Sequence, residues 1–443
     1  TLKNKNPNIG RVKMKKRLIT RALGIAAISA VSLTGGIAHA KDSITIAVPS
    51  FLTGGAAGPF GIPAMNGAKM VADAINKGTL PAPYNTKGFG GASATLIELD
   101  EGGGATKQVA EYRNLVEKRG VDAVVGYISS GNCQALAPIA EELKQFTIFA
   151  TCGTPRIFEE ADRKYVFRTM GHATSDNVAA AMYVKENFPD TKGYTGINQN
   201  YAWGQDSWRD FDLTMKQIMP NTKASEKTQF PKIFAGQYGS EISAMSLDEA
   251  DLVHSSFWGG DLEAFIFQGA ARGLFKKKIG VVTVGGTAAY RLGKKLPDGL
   301  VLGARGPYGI LVRDRDSALN QWFVNTYKNI YGIYPSGPAY QYGQAILAAK
   351  IAYDKAGSDA SNEQLADALR GITFESFSTT IEMKLGGGHQ AATENGYGIT
   401  KYDTAEGENV VTGVKFYPAS CVLPPDGVNS VDWINGGMKG AKC

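Results

Sequence analysis

The chain is short of most of what a reactive centre needs. It has four histidines and four cysteines in 443 residues, and no cysteine spacing suits a zinc site. Gly-x-Ser-x-Gly is absent, and no Ser, His and acid fall at the spacings of a hydrolase. Gly54-Gly55 and Gly102-Gly103-Gly104 fit neither the dinucleotide fingerprint nor the Walker pattern. Glu141 and Glu142 are neighbours on an expected helix and point apart, so they form no acid–base pair. No apolar run is long enough to span a bilayer. The reading is a chain with no metal, no cofactor and no catalytic residue, one that binds and does not react.

A basic surface is also lacking once the N-terminus is set aside. From Met14 there is a basic stretch (Lys15, Lys16, Arg17, Arg21), an apolar stretch over 22–37, and Ala38 and Ala40 flanking His39. This is the order of a cleavable secretion signal, with the mature chain expected to begin near Lys41. The residues before Met14 carry no fold signal and are expected to lie upstream of the start codon. Residues 1–40 hold eight Lys or Arg and no acid, so the formal +6 of the whole chain becomes −2 for the mature part. Short runs such as Lys276-Lys277-Lys278 read as solvated helix ends, and nucleic acid is not an expected partner. No Cys follows the cleavage site, so the product is expected free in a periplasm.

What is present is about 400 residues of mature chain, more than one hydrophobic core usually holds, so two lobes are expected. Cys133, Cys152, Cys421 and Cys443 in an oxidising compartment imply two bridges. Three pairings are open, and the local ones, 133 with 152 and 421 with 443, are favoured.

Short β-branched runs alternate with helical patterns along the chain, the βαβ signature of parallel sheets. Strands are expected at 45–48, 95–99, 123–125 and 147–150, with helices near 64–76, 106–118 and 134–143. A second such run follows Arg168: helices at 177–187, 204–218 and 262–272, strands at 194–197, 252–254 and 280–284. In open parallel sheets ligands bind beyond the carboxyl ends of strands, which directs attention to the loops there. Foremost is the loop Thr53-Gly54-Gly55 through Phe60-Gly61.

These loops carry a resemblance. Thr53-Gly54 with Phe60-Gly61, the segment 121–126 with Ser129-Ser130-Gly131, 137–142, Phe167-Arg168-Thr169 and Ala202-Trp203-Gly204-Gln205 stand in an order similar to the leucine/isoleucine/valine-binding proteins. These are type I periplasmic binding proteins that serve ATP-driven importers. The resemblance implies an α/β fold of two αβα lobes with mostly parallel sheets joined by three crossover strands, near Gly171, Arg305 and Asn395. One lobe would comprise 41–171 with 306–395, the other 172–305 with 396–443.

The resemblance also implies a site. Ser130 falls where the family sets a hydroxyl on the ligand carboxylate, ahead of helix N–H groups that favour an anion; its plain alternative is a capping serine. Cys152, Gly153 and Thr154 match the loop that offers two backbone groups and a Thr. Phe60, Trp203 and Trp258 match three Tyr positions, and Tyr340 lies near a family Phe. Where amino-acid binders place an acid for the ligand ammonium, this chain has Gly285-Gly286-Thr287. Asp261, just beyond Trp258, is an acid that could answer an ammonium there, and it reads more simply as a helix cap. A buried ammonium without a countercharge costs several kcal/mol, so an aromatic or oxo acid stands level with a branched-chain amino acid as ligand. The implied partner is an ABC permease in the inner membrane, met by a monomer. A sensor module for a receptor or regulator is the alternative.

Overall fold

The computed structural model describes residues 40–443, and the signal-sequence reading lies outside them. Among the described residues no helix is long and apolar enough to cross a membrane.

Period-two burial divides the central strands between two layers of helices. In Ser43–Ser50, Ile44, Ile46 and Val48 join one apolar cluster, while Ala47 joins the other. Val125 and Val124 divide in the same way, as do Ile148 and Phe149. Ile62–Lys77 and Gly337–Ala356 cover the first face, and Gly104–Arg113 and Ser130–Glu142 the second. Buried on both sides, such strands read as nearly unbroken apolar runs. Ile62–Lys77 has Pro63 in its first turn and stops at Gly78, whose φ of 68° suits a residue without a Cβ.

The first sheet has eight strands in the order Thr373–Glu375, Thr380–Leu385, Gln390–Ala392, Val166–Arg168, Thr147–Phe149, Ala123–Gly126, Ser43–Ser50, Ser93–Asp100. The second has seven: Glu408–Tyr417, Asn395–Asp403, Val301–Gly303, Ile279–Val282, Leu252–Ser255, Gly193–Ile197, Lys223–Ala224. Pairing is parallel except at one end of each sheet, where hairpin strands run antiparallel. The fold class expected from the sequence is the one observed.

The chain passes between the sheets three times: after Val166–Arg168, after Val301–Gly303, and between Gln390–Ala392 and Asn395–Asp403. The first and third crossings touch, since a Cβ on Gly171 would stand 3.1 Å from Thr393 Oγ1. The second begins with Arg305, a non-glycine residue at φ 60°. Such a conformation persists only where the surroundings enforce it. The cysteines pair locally, Cys133 with Cys152 and Cys421 with Cys443.

Candidate functional site

Where the carboxyl ends of the two sheets face each other, a small, tightly closed cavity is lined by Phe60, Ile128, Ser130, Tyr201, Trp203, Trp258 and Arg305. The first three come from the lobe of the eight-stranded sheet, the next three from the other lobe, and Arg305 from a crossing. Ser130 and Trp203 therefore share one cavity, along with Phe60 and Trp258.

Ser130 is held in an unexpected way. The N-cap of Ser130–Glu142 is Ser129, so Ser130 is not the capping serine of the plain alternative. The carboxyl group at this helix start is the protein's own. Glu101 accepts from Ile128 N and Ser129 N, each at 2.7 Å, and from Asn132 Nδ2 at 3.0 Å. Burial nevertheless raises the Glu101 carboxyl to about 8, against those donors. Ser130 Oγ accepts from Gly153 N at 3.0 Å and Thr154 N at 3.2 Å. The two loops are thereby joined, and the Cys133–Cys152 bridge joins them again.

Cys152, Gly153 and Thr154 stand behind the lining and do not form it. The Thr154 hydroxyl donates to Asp206 Oδ2 at 2.7 Å, across the cleft. Asp206, fully buried, also takes Arg156 Nη2 at 2.7 Å and Arg209 Nη1 at 3.0 Å. Thr154 thus belongs to an interlobe ion-pair cluster and lies outside the cavity lining, whereas the resemblance implied a place on the ligand. Gly153 fits because it is glycine: a Cβ there would lie 2.4 Å from both Trp203 Cζ3 and Arg305 Nη2.

Aromatic walls close the space. Trp203 donates its Nε1 to Ser256 O at 2.8 Å, and the Arg305 guanidinium lies over its ring at 4.0 Å. Trp258 donates to Tyr201 Oη at 2.7 Å. Its ring meets Phe60 and Phe51 of the other lobe at 5.3 and 5.7 Å between centroids. Gly260 N donates to Gly55 O at 2.9 Å, so the Thr-Gly-Gly loop also touches the opposite lobe. Tyr340 is the corrected aromatic: it packs on Phe323 at 4.4 Å, donates to Asn320 Oδ1, and does not line the cavity.

Sequence reasoning missed Ile128, Tyr201 and Arg305. Arg305 Nη1 donates to Thr151 O at 2.9 Å, and its Nε faces Asp176 Oδ2 at 3.4 Å without hydrogen-bond alignment. Burial holds Asp176 up at about 6, and burial lowers Arg305. The position where an amino-acid binder carries an acid is a buried turn, Gly285–Thr287, with Gly286 packed against Ala304. Asp261 is no helix cap, since that helix has no side-chain cap; it accepts instead from Gln199 Nε2 and Phe234 N at 2.7 Å. The histidines are structural: His172 caps Ala173–Asn187, His254 stacks on Phe211, and His389 stacks on Phe167.

A wider crevice of about 990 Å³ runs between Phe158, Leu385 and the tail at Pro424-Pro425. Its buried cation, Arg168, is already bound to Cys152 O, Thr154 O and Gln390. The crevice is a groove beside the hinge, and the aromatic cavity is the candidate site.

The sequence profile of the family described as "Periplasmic binding protein" matches residues 43–407. The chain is 30% identical over 179 residues to the Leu/Ile/Val-binding protein BraC3 of Rhizobium johnstonii, a match spanning 40% of this chain and 45% of that protein. A solute-binding protein of an ABC transporter from Rhodopseudomonas palustris, in complex with 3,4-dihydroxybenzoic acid, superposes with a TM-score of 0.72 at 20% identity, over 86% of this chain and 98% of that one. A leucine-binding protein from Thermotoga maritima does so with a TM-score of 0.67 at 19% identity, over 84% and 98%. The chain belongs to the periplasmic binding protein family.

Proposed function

We propose that this chain is the exported solute-binding component of an ABC importer, that its ligand is a small carboxylate without an α-ammonium group, and that the ligand leaves unchanged. The carrying observation is the make-up of the cavity: four aromatic rings and one guanidinium, with no acidic side chain. Flat rings suit an aromatic or planar acyl body, and Arg305 suits its charge. An amino acid would set its ammonium beside Arg305 with no carboxylate to receive it. Among proteins of this fold, one is in complex with an aromatic acid and one is a leucine-binding protein, so the class accommodates both, and the lining supports the former.

The moving units of this reading are 41–171 with 306–395 and 172–305 with 396–443. Phe60 and Ser130 on one side and Trp203 and Trp258 on the other meet a ligand together only when the cleft is shut. Differential contact of this kind is what shifts a hinge equilibrium. The shut form then docks on a membrane permease. A thermal-shift panel tests the proposal, since a ligand of the native state raises the melting temperature by mass action. Benzoate, 4-hydroxybenzoate, phenylacetate and 2-oxo-4-methylpentanoate are screened beside leucine and phenylalanine. A shift with one or more of the acids and none with the amino acids is expected. The reverse pattern refutes the ligand class, and recovery of a chemically altered ligand refutes the carrier role.

A further inference from the structure

The polar groups of the cavity share a property that follows from which atom of each hydrogen bond can donate. An indole Nε1 carries a proton and no lone pair, so in its 2.7 Å contact with Tyr201 the tryptophan donates and the phenol oxygen accepts. The Tyr201 proton is left over, and no acceptor takes it among the described residues. Ser130 Oγ accepts two amides, from Gly153 and Thr154. Its lone pairs are used and its proton is likewise unassigned. Arg305 Nη2 is buried and has no partner. All three residues line the same cavity. Two of them, Arg305 and Ser130, also meet at one point of the backbone: Nη2 sits where a Gly153 Cβ would lie 2.4 Å away, and the Gly153 amide is bonded to Ser130 Oγ.

We infer that Tyr201, Arg305 and Ser130 form a donor-only receptor for the two carboxylate oxygens, so that Tyr201 and Arg305, outside the eight-stranded lobe, select the ligand together with Ser130. The inference rests on the carboxylate reading above and deepens it. A carboxylate presents only acceptors and satisfies all three groups. The carboxamide of the same acid has nearly the same shape, yet its NH₂ would face a donor whichever way it turned, and an unmatched buried polar group is expensive. Trp258 is a positioning residue here: by giving its proton to Tyr201 it fixes the phenol as donor.

The test compares an acid with its carboxamide, using benzoate and benzamide as probes, by calorimetry on the wild-type chain, Tyr201→Phe, Arg305→Gln and Ser130→Ala, each first checked for an unchanged circular-dichroism spectrum. If benzoate is silent in the panel, the acid giving the largest thermal shift and its amide replace the pair. A hydrogen bond to a charged group corresponds to about 10- to 150-fold in affinity. Tyr201→Phe is expected to weaken the acid by that factor while leaving the amide within about threefold, so the acid-to-amide ratio collapses. General damage to the pocket would weaken both alike and leave the ratio standing. Acid affinity within twofold of wild type in both Tyr201→Phe and Arg305→Gln overturns the inference and leaves the carboxylate reading intact. Should Tyr201→Phe fail to fold, the ratio in Arg305→Gln and Ser130→Ala decides in the same manner. A wild-type chain that binds leucine and none of the acids overturns both.

Discussion

Gly153→Ala isolates lobe closure from folding. The added methyl would stand 2.4 Å from Trp203 Cζ3, 2.6 Å from Trp203 Cε3 and 2.4 Å from Arg305 Nη2, where nonbonded carbon atoms settle at about 3.5–4.0 Å. Neither neighbour has an easy retreat. Trp203 is buried and pinned through Nε1 to Ser256 O, and Arg305 is tied to Thr151 O. Gly153 itself does not have a positive φ, so alanine introduces no backbone strain. The obstruction by Trp203, which belongs to the opposite lobe, grows as that ring comes down on the 152–154 loop, so this part of it would burden the shut form more than the open one. Overpacking of this size costs about 1–3 kcal/mol, and every 1.4 kcal/mol is tenfold in affinity. Ligand binding should weaken by roughly 5- to 150-fold. Calorimetric titration with the acid selected by thermal shift measures it, with small-angle scattering to follow compaction at saturation. Gly131→Ala is the matched control, because a Cβ there meets nothing nearer than 3.8 Å. Affinity within twofold of wild type in Gly153→Ala, with unchanged compaction, would refute the claim that Trp203 closes directly on this loop.

Asp206→Asn keeps the shape of the interlobe cluster and removes its charge. Arg156 is about a third exposed, so solvent screens part of the effect, and about 1 kcal/mol or a fivefold loss of affinity is expected. The unliganded variant should scatter as a larger particle, and equal radii would reject the latch. Burial raises the Glu101 carboxyl to about 8, so the folded chain keeps a proton that the unfolded chain releases near 4.5, and stability falls as pH rises between those values. Asp176 and Asp210 act with the same sign up to about 6, while neutral buried His254 opposes them only below 6.5, leaving pH 6.5–8 to Glu101. Urea unfolding should show up to about 2 kcal/mol lost across that window in the wild type and a flat response in Glu101→Gln; parallel slopes would reject the assignment. Replacing Cys133 and Cys152 together by serine opens a loop of sequence separation 19, for which chain entropy predicts about 3 kcal/mol of lost stability, read as a lower urea midpoint. An unmoved midpoint would show that packing alone holds the loop.

Most of the parallel strands were legible because each is a local pattern; Val166–Arg168, Lys223–Ala224 and Val301–Gly303, only two or three residues long, were not read as strands. Apolar runs such as 44–48 and 123–125, followed by Gly or Ser, announce a strand and the loop beyond it, and every strand read in this way exists. The antiparallel ends of the sheets were not legible. Gln390–Ala392 is three residues of weak β-propensity, and Asn395–Asp403 carries two glycines and a charged, half-exposed end; such strands are specified by their partners more than by themselves. Gly337–Ala356 escaped for the opposite reason, being buried nearly all round and so without an apolar stripe.

The site divides along the same line. Phe60, Ser130, Trp203 and Trp258 sit at the starts of the helical segments that follow strands, where a local motif is enough. Thr154 was placed on the ligand because its loop matches the family's, and nothing near it in sequence reveals its partner Asp206, 52 positions on. Tyr201 was passed over because a helical spacing of two sets residues on different faces. It is in fact the extended N-cap of Ala202–Ile218, which turns it into the same cavity as Trp203. Arg305 marked only a crossing in the sequence; the signal available was a lone cation among the small and apolar residues 301–306. Its position has a physical consequence. Under the proposed reading Arg305, a crossing residue at φ 60° that lines the cavity, would put the ligand's charge against the backbone that joins the lobes. A carboxylate engaging Nη2 would then also fix the guanidinium over Trp203, so that recognition of charge and closure of the aromatic wall would be coupled at one side chain.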